Sequence, residues 1–176
     1  SGRVRWSRLV HNWFWITLSN FAGALFVAYF FGHLAELTSS GAFLEKVVDT
    51  AGHKLEADFW PALISAVGCN WLVGLAVWLS YGAEDIGGKI AAIWFPIMAF
   101  VAIGFQHVVA NMFIIPAAIF EGYFSWGEYF GNFIPVFLGN AIGGAVLVAA
   151  VYWQSYEEHL PSGTELRKEE SKGIEG

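Results

Sequence analysis

The sequence predicts an all-α membrane protein with four crossings, one of them broken in its middle. Three observations carry this. Charged residues make up only 14% of the 176 residues and hydrophobic ones 56%, whereas an ordinary soluble domain is about 25% charged. The charges gather at the ends and in short connections, leaving apolar runs that exceed the roughly 20 helical residues a bilayer requires. The run from Ile90 to Phe120 has no Asp, Glu, Lys or Arg, yet Gly104, Gln106, His107 and Asn111 interrupt it. A polar cluster at bilayer depth is costly unless it faces protein or water, so it marks a functional site by default.

Composition also excludes several classes. A single cysteine, Cys69, permits no intramolecular disulfide and no Cys-rich metal site. The net charge of −6 says nothing about nucleic acid, but no basic aromatic surface is visible, so no nucleic-acid partner is expected. The chain begins Ser1-Gly2-Arg3 and reads as part of a longer protein.

In chain order, Arg3, Arg5 and Arg8 precede a first span at about 9–37 and favour the cytoplasmic side for the chain start. Trp6, Trp13 and Trp15 suit the membrane interface, and Asn20 and Gly23 are residues that let helices approach. In the connection 38–58, Ala42-Phe43-Leu44 and Val47-Val48 alternate with Glu45, Lys46 and Asp49, predicting a short amphipathic helix at the interface. Lys54, at its end, reads on composition alone as a solvated lysine. The second span, about 59–81, holds Asn70 near its middle, either as packing glue or as part of a polar path.

The third span, about 89–120, divides into half-helices on either side of an irregular stretch at 104–109. A lone histidine in an apolar helix is often no more than a packing residue. Here Gly104, Gln106, His107 and Asn111 fall within eight residues, which predicts a broken helix, a common way for transporters to build a site at mid-membrane. The second half-helix would aim the positive end of its dipole at the gap, a place that attracts anions. The fourth span, about 130–152, carries Asn140, Gly143 and Gly144. Residues 1–156 thus form a transmembrane domain, and 157–176 a flexible polar tail. Seven of the nine basic residues (Arg3, Arg5, Arg8, Lys89, Arg167, Lys168 and Lys172) fall on one side, which places the chain start and the tail in the cytoplasm.

Ser19-Asn20-Phe21-Ala22-Gly23-Ala24 in the first span echoes Gly139-Asn140-Ala141-Ile142-Gly143-Gly144 in the fourth. If the echo is a repeat, the unit is three helices long and successive units insert in opposite orientation, with a second broken helix in the part of the protein before this chain.

Gly104-Phe105-Gln106-His107-Val108-Val109-Ala110-Asn111-Met112-Phe113-Ile114-Ile115-Pro116 closely resembles the signature of the formate/nitrite transporter family. Cys69-Asn70-Trp71-Leu72-Val73-Gly74-Leu75-Ala76-Val77-Trp78 is similar to that family's fourth helix, and Asn132-Phe133-Ile134-Pro135-Val136 with Gly139-Asn140 and Gly143-Gly144 to its sixth. The resemblance extends from Ser1 to about Trp153. It implies an aquaporin-like fold of six helices arranged as inverted repeats, of which this chain supplies helices three to six and the missing amino-terminal helices the rest. It implies a homopentamer in the inner cell membrane with a pore in each subunit, and transport rather than catalysis, with no cofactor or metal.

The same resemblance assigns roles. His107 matches the central pore histidine, Asn70 the asparagine near it, and Lys54 the lysine that draws anions into the outer vestibule. Phe100 and Val73 match apolar residues of the outer constriction, and Gly104, Phe105, Gln106 and Asn111 belong to the broken-helix loop. Many members have Glu where this chain has Gln106, which leaves the titration of His107 open. The implied substrates are small weak-acid anions, formate foremost, with nitrite or hydrosulfide as the alternatives. Each can accept a proton at His107 and cross as the neutral acid; an imidazole near its unperturbed pKa of ~6.5 suits that exchange. A distant alternative is a haem-carrying anchor of a redox complex, with His11, His33 and His107 as possible axial ligands. His11 and His33 lie near opposite ends of one span, too far apart for one haem.

Overall fold

The computed structural model describes residues 5–156. Arg3 and the expected tail at 157–176 lie outside the described residues. Those described are helical with short connections and contain no strand. Four helices are long and apolar enough to cross a membrane: α1 (Trp6–Leu34), α3 (Phe59–Gly82), α4 (Ile86–Ile103) and α6 (Trp126–Ser155). Two shorter ones, α2 (Gly41–Leu55) and α5 (Val108–Phe120), complete the set. The protein is therefore an all-α, multi-pass membrane protein. We call the side on which α1 ends the far side.

Each boundary has a local cause. Asp85 caps α4 by accepting from the Gly88 N–H at 2.9 Å. Gly104 ends α4 with φ 81°, a left-handed conformation that costs glycine little, and the N–H groups of Gly104 and Phe105 close the last turn on Val101 and Phe100. α6 opens on a capping box in which Ser125 and Glu128 bond each other's backbone N–H. Two stretches wind more widely than an α-helix: Val27–Leu34 at the end of α1 and Gly143–Ala150 within α6.

The central contact is α3 against α6. Gly139 and Gly143, one turn apart, lie directly on the α3 backbone: a Cβ on the first would collide with the Leu63 carbonyl oxygen and the Ala66 methyl, and on the second with the Val67 carbonyl oxygen. Ala62, Ala66 and Val136 fill the rest of that seam. Lipid supplies no hydrophobic drive between helices, so close backbone approach through small residues is what holds such a pair. α4 lies along the other side of α3 and buries only Phe100; Ile90, Ile93, Trp94, Phe95, Met98 and Val101 face outward.

A second core forms where α2 meets α5, around Ala51, Ile115, Ala118 and Tyr129, with Phe21 of α1 stacked on Tyr129 at 5.7 Å. The expected helix lying at the interface instead runs along α5. Ser39, just before α2, donates to Glu121 at the far end of α5 (2.7 Å), and the last turn of α2 reaches the start of α5. Ala51 is fully buried, so that face closes tightly, while Glu45, Lys46, Asp49 and His53 form the exposed one. Glu121 also accepts from His33 at the end of α1 (3.0 Å), which ties the far ends of α1 and α5 together.

The seam gives a direct test. Gly139→Ala and Gly143→Ala should each destabilise the purified protein by about 1–3 kcal/mol, since overpacking against backbone has no side chain to yield. Gly131→Ala, on the same helix with open space around it, should be neutral. Thermal unfolding followed by loss of the monodisperse size-exclusion peak would separate them.

Candidate functional site

The site is the gap between α4 and α5. A chain that leaves its helix inside hydrocarbon exposes backbone groups that need partners, because no solvent is there to supply them. In this gap the partners come from three other helices. The Gln106 N–H donates to Ser65 Oγ of α3 at 3.0 Å, and the Gln106 carbonyl accepts from Asn140 Nδ2 of α6 at 3.1 Å. Val108 N–H, the first of α5, donates to Asn140 Oδ1 at 2.8 Å. The Phe105 carbonyl accepts from the Lys54 ammonium of α2 at 3.3 Å.

Asn140 is the hinge pin of this arrangement. Its amide also donates to the Ala66 carbonyl at 2.8 Å, so one side chain joins α3, the gap and α5. Its reach depends on Gly139 and Gly143, which bring α6 against α3. Asn70 then donates to the Asn140 carbonyl at 2.6 Å, and with Asn140, Val108 and, from α1, Leu9 and Trp13 it lines a cavity of about 500 Å³.

His107 caps α5. Its Nδ1 accepts from the Ala110 N–H at 3.2 Å, so a neutral ring carries its proton on Nε2. The ring stacks on Phe100 with centroids 5.5 Å apart, which fixes its plane. The histidine is half-buried and the Phe100 ring buried.

A second set of bonds runs behind the gap. Gln106 Nε2 donates to the Lys54 carbonyl (2.9 Å), and Asn111 Nδ2 to Gln106 Oε1 (2.7 Å) and to Asn132 Oδ1 (2.9 Å). Asn132 Nδ2 donates back to the Lys54 carbonyl (2.8 Å). These bonds close a ring of amides around the last turn of α2, and all three side chains are buried. Both ends of the Gln106 amide are engaged there rather than at His107.

Lys54 is only 8% exposed, and burial lowers its pKa below that of an ordinary lysine. Among the described residues no carboxylate lies within ion-pair distance of it. The one formal charge at the gap is therefore a buried cation without a counter-ion.

The structure brings together Lys54, Phe100, Gly104, Phe105, Gln106, His107 and Asn111. Asn70 joins them through Asn140. Val73 stands half-buried on α3, eight residues beyond Ser65 and so about 12 Å further along the axis. Sequence reasoning did not name Ser65, Asn132 or Asn140 as site residues. The signal for the two asparagines was there, since an amide within a membrane span needs a partner; Ser65 had none. Of the other histidines, His11 accepts from Trp15 on its own helix (2.9 Å) and His33 bonds Glu121. Among the described residues no group of three His, Cys, Asp or Glu is placed to hold a metal.

Comparison with known proteins adds the following. The family described as formate/nitrite transporter matches residues 1–154. The uncharacterized transporter YrhG of Bacillus subtilis (strain 168) is 58% identical over 168 residues, covering 96% of this chain and 63% of the relative. The formate channel BtFdhC of Bacillus thuringiensis is 56% identical over 150 residues, covering 85% of this chain and 58% of the relative. A solved structure, a pentameric formate channel with formate bound, superposes with a TM-score of 0.75 at 29% identity, over 89% of this chain and 69% of that one. The chain thus spans about three-fifths of the length of these two curated relatives. With its broken helix, its gap histidine and this match over nearly its whole length, the chain belongs to the formate/nitrite transporter family.

Proposed function

We propose that this chain forms part of the pore wall of a membrane channel for small monovalent weak-acid anions, formate foremost, and that His107 exchanges a proton with the passing anion. The observation that carries the reading is the uncompensated Lys54 ammonium, bonded to the Phe105 carbonyl two residues from His107. A bare anion entering hydrocarbon faces a large desolvation cost. A fixed cation and the positive end of α5 offset that cost where the anion leaves water. The far side is then the outside of the cell, and the chain start and the tail at 157–176 are cytoplasmic. The relatives named above support formate as the substrate and a homopentamer as the assembly, completed by the amino-terminal helices of the same protein. Nitrite and hydrosulfide share the chemistry and are the alternatives.

The chemical step is a proton transfer. An imidazolium at His107 gives its Nε2 proton to the anion, the carboxylate oxygen takes it, and formic acid leaves as a neutral molecule. The ring is left neutral with its remaining proton on Nδ1, and it takes up a proton at Nε2 from hydronium in the water before the next transfer. Chloride, the anion of a strong acid, cannot use this route. Phe100, stacked on the ring at a 27° tilt, covers part of one of its faces.

Two measurements test the reading, both as flux into proteoliposomes containing the full-length protein. His107→Asn should lower formate uptake at acidic pH by at least about tenfold and flatten its pH dependence. Unchanged flux with an unchanged pH profile would remove the proton exchange.

Lys54→Met should raise the formate concentration for half-maximal flux at every pH. In the parent protein the same rise should set in as pH increases, at a pH below the ordinary lysine range, because the buried ammonium loses its proton early. The sign is fixed: the charge is present below the lowered pKa and lost above it. A half-saturation that ignores Lys54→Met would overturn the role of the cation.

A further inference from the structure

We propose that Asn132 is a positioning residue for the anion-attracting cation: through the Lys54 carbonyl it sets where the Lys54 ammonium stands. The proposal rests on the reading of Lys54 given above. A lysine side chain has four rotatable bonds, and placing its charge to within an ångström requires that its own backbone be held. The Lys54 carbonyl lies in the last turn of α2, where helix carbonyls have no intrahelical donor. Two amides supply donors instead: Gln106 Nε2 at 2.9 Å from the gap and Asn132 Nδ2 at 2.8 Å from α6. Asn111 bridges the two, donating to both Gln106 Oε1 and Asn132 Oδ1, so neither amide can turn without breaking the ring.

The geometry explains why Asn132 carries the larger share. Gln106 belongs to the same irregular segment whose Phe105 carbonyl binds the ammonium, so the two would move together. Asn132 stands on α6, which is locked to α3 through Gly139, Gly143 and Asn140. Its side chain ties the end of α2 directly to that pair, whereas Gln106 reaches the pair only through its backbone bonds to Ser65 and Asn140. The ring is made wholly of neutral amides, so it fixes the cation without cancelling its charge.

The test is a double-mutant cycle on formate uptake by the full-length protein in proteoliposomes, with Asn132→Leu, Lys54→Met and the double variant. Asn132→Leu should raise the half-saturating formate concentration about fivefold, the usual worth of one lost hydrogen bond, and leave the maximal rate within about twofold. In the Lys54→Met background it should add nothing. Asn132→Thr, which keeps a hydroxyl donor, should recover part of the shift, and Asn132→Ala is measured beside Leu in case the larger side chain prevents assembly.

A fall in maximal rate at constant half-saturation, or an equal shift in the Lys54→Met background, would overturn the proposal and leave Asn132 a structural residue. If Lys54→Met itself causes no shift, the anion-attracting role of Lys54 fails, which is a different result from failure of Asn132 alone.

Discussion

A helix that stops inside a membrane must have its freed backbone groups satisfied by protein, and much else in this molecule follows from that constraint. Of the backbone groups freed at the gap between α4 and α5, two N–H groups and two carbonyls are met by Ser65, Asn140 and Lys54. Asn140 does so only because α6 lies against α3, and α6 lies there only because Gly139 and Gly143 carry no side chain. The glycines thus shape the site from the α3–α6 seam without a side chain in it. A methyl group at the seam would displace the amide that holds the gap open.

The charge at the gap follows from the same economy. Every backbone partner there is neutral except one, and that one is a lysine whose burial works against its own ionised form. A carboxylate nearby would relieve it, but would also cancel the positive field on which the proposed anion path relies. At position 106 this chain has Gln, whose amide donates to the Lys54 carbonyl and accepts from Asn111. A glutamate in the same pose would need its proton to make the first of those bonds. Gln makes both bonds without titrating, so the local field does not depend on the proton occupancy of position 106.

Much of this was legible in the sequence, and the rest was not for physical reasons. The four crossings follow from the placement of charge, and the break from Gly104, Gln106, His107 and Asn111 interrupting a run that lipid would otherwise keep apolar. The course of α2 was not legible. Glu45, Lys46 and Asp49 identify its wet face, but the opposite face suits a membrane surface as well as a neighbouring helix, and only the burial of Ala51 and Lys54 decides between them. Nor could the sequence pair Asn132 with Lys54 or Ser65 with Gln106, since hydrogen bonds across 78 and 41 residues leave no local pattern. The Asn-x-x-Gly echo shows the limit clearly. Asn140 is buried and bonds three separate segments, whereas Asn20 lies on the outward face of α1 and donates to Ile16 of its own helix.

His107 holds two positions at once, and they constrain each other. As the cap of α5 its Nδ1 must accept a hydrogen bond from Ala110. In the proposed proton exchange the ring must at some moment hold protons on both nitrogens, and in that state Nδ1 can accept nothing. The second proton therefore displaces the Ala110 N–H and frees one donor at the start of α5. An N–H released at a helix amino end, beside an imidazolium that stands two residues from the Phe105 carbonyl bonded to Lys54, adds to the attraction for a negative charge. Charging the ring and opening the end of the helix are thus one event in that exchange; an anion that takes the Nε2 proton discharges the ring with Nδ1 still protonated, so the cap returns only when the remaining proton passes to Nε2.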